Sequence, residues 1–317
     1  MTAIDASAVR VSDLSFSYGE HRALDRVSFQ VEQGVIFGLL GPNGGGKTTL
    51  FRLLSTLLPA PAGTISIEGF DPAQQTAAVR VAIGVVFQSP SLDNKLTVVE
   101  NLRHHGHLYG LRGGELDSRI TRRLGDLRLT DRSNDIVETL SGGLKRRVEL
   151  AKGLLSNPKV LILDEPSTGL DPRARRDFWA QIEILRKEQG TTVLVTTHLT
   201  DEAERCDRLA FLDRGRIVSQ GSPDELRRRI GGDVITIHTA SPAELEVTLQ
   251  RDMGVQVTRI GDALRIEHDD GASLVHRLYA DFGTRFDSIS IGRPTLEDVF
   301  IHETGRSLSL ETEGDPS

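Results

Sequence analysis

Residues 9–16 (VRVSDLSF) and 23–31 (ALDRVSFQV) alternate apolar with polar side chains. A period of two belongs to strands with one buried face. Tyr18-Gly19 lies between them where the chain must bend, so the pattern predicts an antiparallel pair. Val35–Leu40 shows no alternation; it is a continuous apolar run that ends at a Gly/Pro/Asn cluster. Helical spacing follows over Thr48–Leu58, giving strand, glycine loop, helix. Four more strand-length runs, Ala82–Phe87, Val160–Leu163, Thr192–Thr196 and Arg208–Leu212, are separated by helical stretches. Such a series predicts a mostly parallel sheet covered on both faces.

Residues 92–157 are more polar and read as helical, with breaks at Gly110 and Gly113-Gly114. They predict a helical subdomain inserted into the larger unit, which spans 1–221. Residues 222–232 read as a short helix and a linker. The pattern then changes. Val234–Thr239 alternates, Ser241–Met253 is helical, and Val255–Ile260 and Ala263–His268 flank Gly261-Asp262 as a hairpin. Ser273–Phe282 is helical again and Phe286–Ile291 is a strand. The order β-α-β-β-α-β predicts a small α+β ferredoxin-like domain over 233–304, with Leu296–His302 as a final helix. The polar, acidic stretch 305–317 is expected to be disordered.

Bulk properties narrow the class. The chain has 317 residues, 38% hydrophobic and 26% charged, the balance of a globular protein with room for two domains. Asp and Glu outnumber Lys and Arg by 45 to 38, a net charge of -7. That excess argues against nucleic acid as a partner and against a polybasic membrane anchor. No run approaches the ~20 apolar residues of a membrane-spanning helix. The first residues lack the basic start and apolar run of a signal peptide. Cys206 is the sole cysteine, so no intrachain disulfide can form. These features predict a cytoplasmic location.

Chemistry enters at the glycine cluster. Gly41-Pro42-Asn43-Gly44-Gly45-Gly46-Lys47-Thr48 fits the spacing G-x-x-x-x-G-K-[ST]. Glycines let such a loop turn its N–H groups inward, and the start of the following helix adds the positive end of a dipole. Lys47 is placed to reach β- and γ-phosphates, and the Thr48 hydroxyl to bind Mg²⁺. The apolar strand Val160–Leu163 runs into Asp164-Glu165. After a phosphate loop, the first carboxylate at such a strand end suits Mg²⁺ and the second suits an attacking water. Without that loop, the pair would read as an acidic strand cap.

Leu140-Ser141-Gly142-Gly143-Leu144-Lys145-Arg146-Arg147 lies upstream of this strand. With it, residues 9–221 resemble the nucleotide-binding subunits of ABC transporters, whose signature motif this segment matches. One departure is Leu144, where many members carry Gln. The resemblance implies a P-loop NTPase domain with an antiparallel β subdomain, a mostly parallel core sheet and an inserted helical subdomain. It implies ATP and Mg²⁺ as cofactors, with Gly41, Pro42, Asn43, Gly44, Gly45, Gly46, Lys47, Thr48 and Thr49 around the nucleotide. Tyr18 matches the aromatic that stacks on adenine, or is a plain turn tyrosine. Gln88 matches the glutamine that touches Mg²⁺ or the water, or is a polar strand end. His198 matches the histidine that contacts the γ-phosphate. Asp171 matches the loop crossing a dimer interface and also reads as a helix N-cap before Pro172. Metal contacts fall to Thr48, Gln88 and Asp164, and catalysis to Glu165, His198, Gln88 and Lys47.

The same resemblance implies a head-to-tail homodimer in which Ser141, Gly142 and Gly143 of one copy complete the ATP site of the other. It also implies a separate multi-span permease, hence a peripheral place on the cytoplasmic face of the cell membrane. Residues 89–102 and Tyr109-Gly110-Leu111, together with Arg293–Phe300, are similar to the branch exporting drugs, polysaccharides or lipo-oligosaccharides. An importer subunit is the second reading. A soluble ABC protein acting on ribosomes or DNA would carry tandem units or a coiled-coil insertion. An inactive module would lack Lys47, Glu165 or His198. His104, His105 and His107 have no cysteine or carboxylate cluster near them in sequence, so a solvated or partner-facing helix fits better than a metal site. Arg227–Arg229 reads as a solvated face.

Overall fold

The structure, a computed structural model, describes residues 7–60 and 62–308. β1 (Ser7–Tyr18) and β2 (His21–Glu32) form the expected antiparallel hairpin, turning at Gly19 with φ +56°. β3 (Ile36–Leu40) is buried along its whole length and feeds the glycine loop. α1 (Lys47–Leu54) starts after Gly46, whose φ of +103° is open to glycine and strained for other residues. It is shorter than its sequence pattern. Thr56 turns into the left-handed region, and the Leu57 and Leu58 amides fold back onto the Arg52 carbonyl.

β4 (Ala62–Ile67) pairs with β1, giving a three-stranded sheet in the order β2-β1-β4. This strand escapes the periodicity reading because only its last three residues are screened from solvent. α2 (Thr76–Ala82) and β5 (Ile83–Val86) follow. The helical insertion contains α3 (Val98–Leu108), α4 (Gly113–Asp126) and α5 (Gly142–Leu154), with short 3-10 turns at Thr130–Arg132 and Val137–Thr139. Thr97 caps α3 in a capping box with Glu100, and Ser141 caps α5.

The chain then alternates through β6 (Val160–Asp164), α6 (Pro172–Gln189), β7 (Thr192–Thr197), α7 (Thr200–Ala203) and β8 (Arg208–Asp213). The core sheet has the order β5-β6-β7-β3-β8-β9, with β9 (Arg216–Gly221) its one antiparallel strand. β3 lies between β7 and β8, so the glycine loop leaves the sheet at its middle. Ligands of open α/β sheets bind beyond the carboxyl ends of such strands.

α8 (Pro223–Arg227) leads to β10 (Asp233–His238), α9 (Pro242–Met253), β11 (Thr258–Ile260), β12 (Ala263–His268), α10 (Gly271–Phe282), β13 (Ser288–Gly292) and α11 (Leu296–Thr304). Their sheet order β11-β12-β10-β13, antiparallel throughout, is that of a ferredoxin-like sandwich. Its own core gathers Ile235, Ile237, Leu245, Leu249, Leu264 and Leu274.

The chain end differs from the sequence expectation. The apolar side of α11 joins the main core: Leu296, Val299 and Phe300 cluster with Leu226 and Phe211. Phe300 meets Phe211 edge-on at 5.9 Å. Its other side is polar and faces the small sheet, where Arg265 Nε donates to Asp298 Oδ1 at 2.9 Å. α11 is therefore shared between the two units. The first residues of the expected disordered tail are also held. Arg306 pairs with Asp213 at 2.6 Å and Ser307 Oγ donates to Glu297 at 2.7 Å, because partners for both lie within reach of the helix end. The remaining tail, 309–317, falls outside the described residues.

Candidate active site

The glycine loop is built as much by exclusion as by freedom. A Cβ on Gly41 would sit 2.1 Å from the Leu212 carbonyl oxygen, and one on Gly46 would sit 2.7 Å from that of Ala23. Only a residue without a side chain lets the loop lie this close to β8 and β2. The turn between β8 and β9 braces it from outside: the Gly215 N–H donates to Gly45 O at 3.0 Å.

Above the loop lies a cleft of about 670 Å³. Tyr18, Asn43, Gly44, Gly46, Lys47, Thr48, Thr49, Gln88, Glu165 and His198 line it, all of them expected from sequence. His21, Ala23 and Thr168 line it too and were not foreseen. His21 and Ala23 follow from the hairpin pairing, which sets β2 opposite Tyr18. No sequence pattern marks them. Tyr18 lines the cleft half exposed, packed edge-to-face with Phe16 at 4.9 Å.

Glu165 is the hub. One carboxylate oxygen lies 3.4 Å from Lys47 Nζ. The other receives Gln88 Nε2 at 3.3 Å and Thr168 Oγ1 at 3.3 Å, with His198 Nδ1 at 3.2 Å. The imidazole nitrogen lies within ion-pair distance but lacks hydrogen-bond alignment. Burial by itself would raise the Glu165 carboxyl; His198 and Lys47 outweigh it and hold the group below the usual range. It is thus an ionised acceptor at neutral pH. Lys47 Nζ also donates to the carbonyls of Gly41 and Pro42, each at 2.8 Å. Burial pulls the ammonium down and the Glu165 carboxylate opposes this.

Asp164 is buried beneath Glu165. Thr196 Oγ1 donates to it at 2.6 Å, and the same hydroxyl accepts the Glu165 N–H at 3.0 Å. Burial raises the Asp164 carboxyl, the Thr196 bond lowers it, and neighbouring Glu165 raises it again, for a net upward shift. Thr196 is a further residue that sequence alone did not single out. Another is Glu202. It is buried and accepts from Ser167 Oγ through one oxygen and from Thr197 Oγ1, at 2.6 Å, through the other. It ties the segment after Glu165 to the strand end before His198.

Thr48 and Gln88 line the cleft and the buried Asp164 carboxylate lies behind it; these are the groups that would hold a cation. All are hard oxygen ligands, and a single carboxylate with a hydroxyl beside bound phosphates suits Mg²⁺. Gly41, Pro42, Gly45 and Asp164 lie behind the cleft lining, and four further expected residues stand apart from it. Ser141, Gly142 and Gly143 start α5, where Ser141 Oγ accepts from Leu144 N at 3.4 Å. Gly143 packs against α6, since a Cβ there would meet Ala174 Cβ at 2.9 Å. Asp171 caps α6 by accepting from Arg173 N and Ala174 N at 2.9 Å each. Ser141, Gly142 and Asp171 are exposed, on a surface separate from the cleft.

Comparison with known proteins fits this picture. The family described as ABC transporter matches residues 24–168, and the family of the ATP-binding protein DrrA1-3-like C-terminal domain matches 221–304. The chain is 38% identical to the daunorubicin resistance ATP-binding protein DrrA2 of Streptomyces coeruleorubidus, over 95% of this chain and 96% of that one. It is 38% identical to the Nod factor export ATP-binding protein I of Cupriavidus metallidurans, over 92% and 95%. Among solved structures it is similar to an ATP-binding subunit of an ABC transporter, with 32% identity, a TM-score of 0.63, and 70% of this chain and 93% of that one covered. It is also similar to a dimeric cassette in a post-hydrolysis state bound to ADP and Pi, with 26% identity, a TM-score of 0.61, and 68% and 98% covered.

Proposed function

The chain belongs to the ABC transporter ATP-binding family and hydrolyses ATP, and from that premise we propose that it powers export by a separate membrane permease. Two copies would close head to tail over two ATP molecules. The observation that carries this reading is the position of Glu165, an ionised carboxylate in contact with Lys47, Gln88, Thr168 and His198 at the floor of one cleft.

In this reading Lys47 leaves its loop carbonyls to bind phosphate oxygens. Glu165 accepts the proton of the attacking water, and Gln88 and His198 fix the position of water and γ-phosphate. Thr48, Asp164 and Gln88 would hold Mg²⁺, which would supply positive charge to the phosphates when bound. Catalysis is then mainly positioning and charge stabilisation. The placement of Ser141, Gly142, Gly143 and Asp171 outside the cleft supports a site completed by a second copy. One chain holds the phosphates; the exposed start of α5 on the other offers a hydroxyl and amides at a helix N-terminus.

Adenine is expected to stack on the half-exposed ring of Tyr18. Tyr18→Ala should weaken ATP binding roughly tenfold, the worth of one base–aromatic stack, with turnover at saturating ATP nearly unchanged. Nucleotide titration checks this; an unchanged affinity returns Tyr18 to a turn role.

Partnership with a permease has its own support. No helix among the described residues is long and apolar enough to cross a membrane. Apolar side chains nevertheless stand exposed at Leu57, Val81, Leu108 and Tyr109. Arg80 links three of them: it adjoins Val81, bonds Thr56 beside Leu57, and its charge acts on Tyr109. Exposed apolar groupings mark docking surfaces. Export is supported by the names of the relatives above. Affinity purification in detergent should recover a multi-span membrane protein, and Leu108→Glu should reduce that recovery. Recovery of ribosomes instead would overturn the transporter reading.

A further inference from the structure

Glu165 has a backbone φ of +41°, in the left-handed region that a residue with a Cβ occupies only when its surroundings enforce it. Its N–H is held by β7, bonding Thr196 O at 3.2 Å and Thr196 Oγ1 at 3.0 Å. Its carbonyl is held from the opposite side by Arg146, whose Nη2 donates to Glu165 O at 3.3 Å. Arg146 Nε donates to the next carbonyl, Pro166 O, at 2.5 Å. The same guanidinium reaches a second segment, with Nη1 donating to Phe87 O at 2.6 Å and Nη2 to Gln88 O at 3.5 Å. Arg146 is buried, and its charge is matched by buried Glu149, whose Oε2 accepts from Nη1 at 2.5 Å. Glu149 extends the brace, accepting the Ser91 N–H at 2.6 Å.

We propose that Arg146 is a positioning residue for hydrolysis: it sets the backbone of Glu165 against that of Gln88 and transmits movement of residues 87–91 to the catalytic carboxylate. The proposal rests on the reading of Glu165 as the base. The geometry gives it a specific form. One planar fork bridges carbonyls from the ends of β5 and β6 while standing on α5. A lysine ammonium retains the charge for Glu149 but cannot span those carbonyls. Any displacement of the bridge therefore moves Glu165 and Gln88 relative to each other, and a misplacement of about 1 Å in a reacting geometry costs up to ~10²-fold in rate.

The test is Arg146→Lys in the full chain, with ATP affinity, saturating turnover and thermal unfolding measured together. Turnover is expected to fall about 30-fold while ATP affinity changes less than about threefold. In a Glu165→Gln background the same substitution should change the residual rate less than about twofold, because no base remains to be misplaced. Should Arg146→Lys melt early, the paired variant R146Q/E149Q removes both buried charges together and should show the same split. Wild-type turnover in these variants beside an inactive Glu165→Gln overturns the proposal. So does an equal loss with and without Glu165, or a loss that tracks affinity. Wild-type turnover in Glu165→Gln itself would instead refute the assignment of the base.

Discussion

Glu165→Gln is expected to lower ATP turnover by roughly 10²–10⁴-fold, the usual worth of a positioned general base, while ATP still binds. The amide keeps the size and the acceptor oxygen of the carboxylate but cannot take a proton. Binding should persist because the phosphate contacts come from Lys47 and the glycine loop. Affinity should even rise slightly: the carboxylate that competes for Lys47 at 3.4 Å is gone, and one negative charge near the triphosphate goes with it. The closed state should then accumulate, so size-exclusion chromatography with Mg-ATP should show a dimer where the wild type shows monomer. A variant that turns over ATP like the wild type would show that another group takes the proton.

Lys47→Ala acts on the other half of the cycle. Its ammonium is buried, with two carbonyls and one carboxylate already around it. Two charge-assisted bonds to phosphate oxygens, at about 1.5–3 kcal/mol each, make its loss worth at least about 10²-fold in ATP affinity. Alanine also leaves Glu165 and Asp164 facing the triphosphate without a counter-charge, which adds repulsion to lost attraction. Equilibrium binding of a fluorescent nucleotide reads this directly, and unchanged affinity would refute the phosphate-cradle reading. The two variants should diverge: one binds and does not turn over, the other does not bind.

Much of this site is legible in the chain because phosphate chemistry leaves fixed spacings. Gly41–Thr48 and Asp164-Glu165 stand at the ends of apolar strands, and parallel pairing through β7 brings those ends together. The core sheet was readable for the same reason: a strand buried on both faces has an unbroken apolar run. β4 and β9 have no such run, since each lies at a sheet edge and is partly open to water. The residues that hold the site were harder to see. Thr196, Glu202 and Arg146 act through buried hydrogen bonds to segments 20 or more positions away or to backbone carbonyls, and neither leaves a periodic mark. His21 and Ala23 reach the cleft through hairpin register alone. The end of the chain misled for a related reason. Residues 305–308 look like a polar tail, and the partner that orders Arg306 is Asp213, more than ninety positions away.

That last contact places Arg306 close to the phosphate loop. Asp213 opens the turn whose Gly215 amide bonds Gly45, so Arg306 pulls on the root of a brace that ends at the phosphate loop. A chain cut before Arg306 therefore loses a contact near the phosphate loop rather than at a remote edge. Kinetics measured on such a shortened chain would report that loss as well as the enzyme.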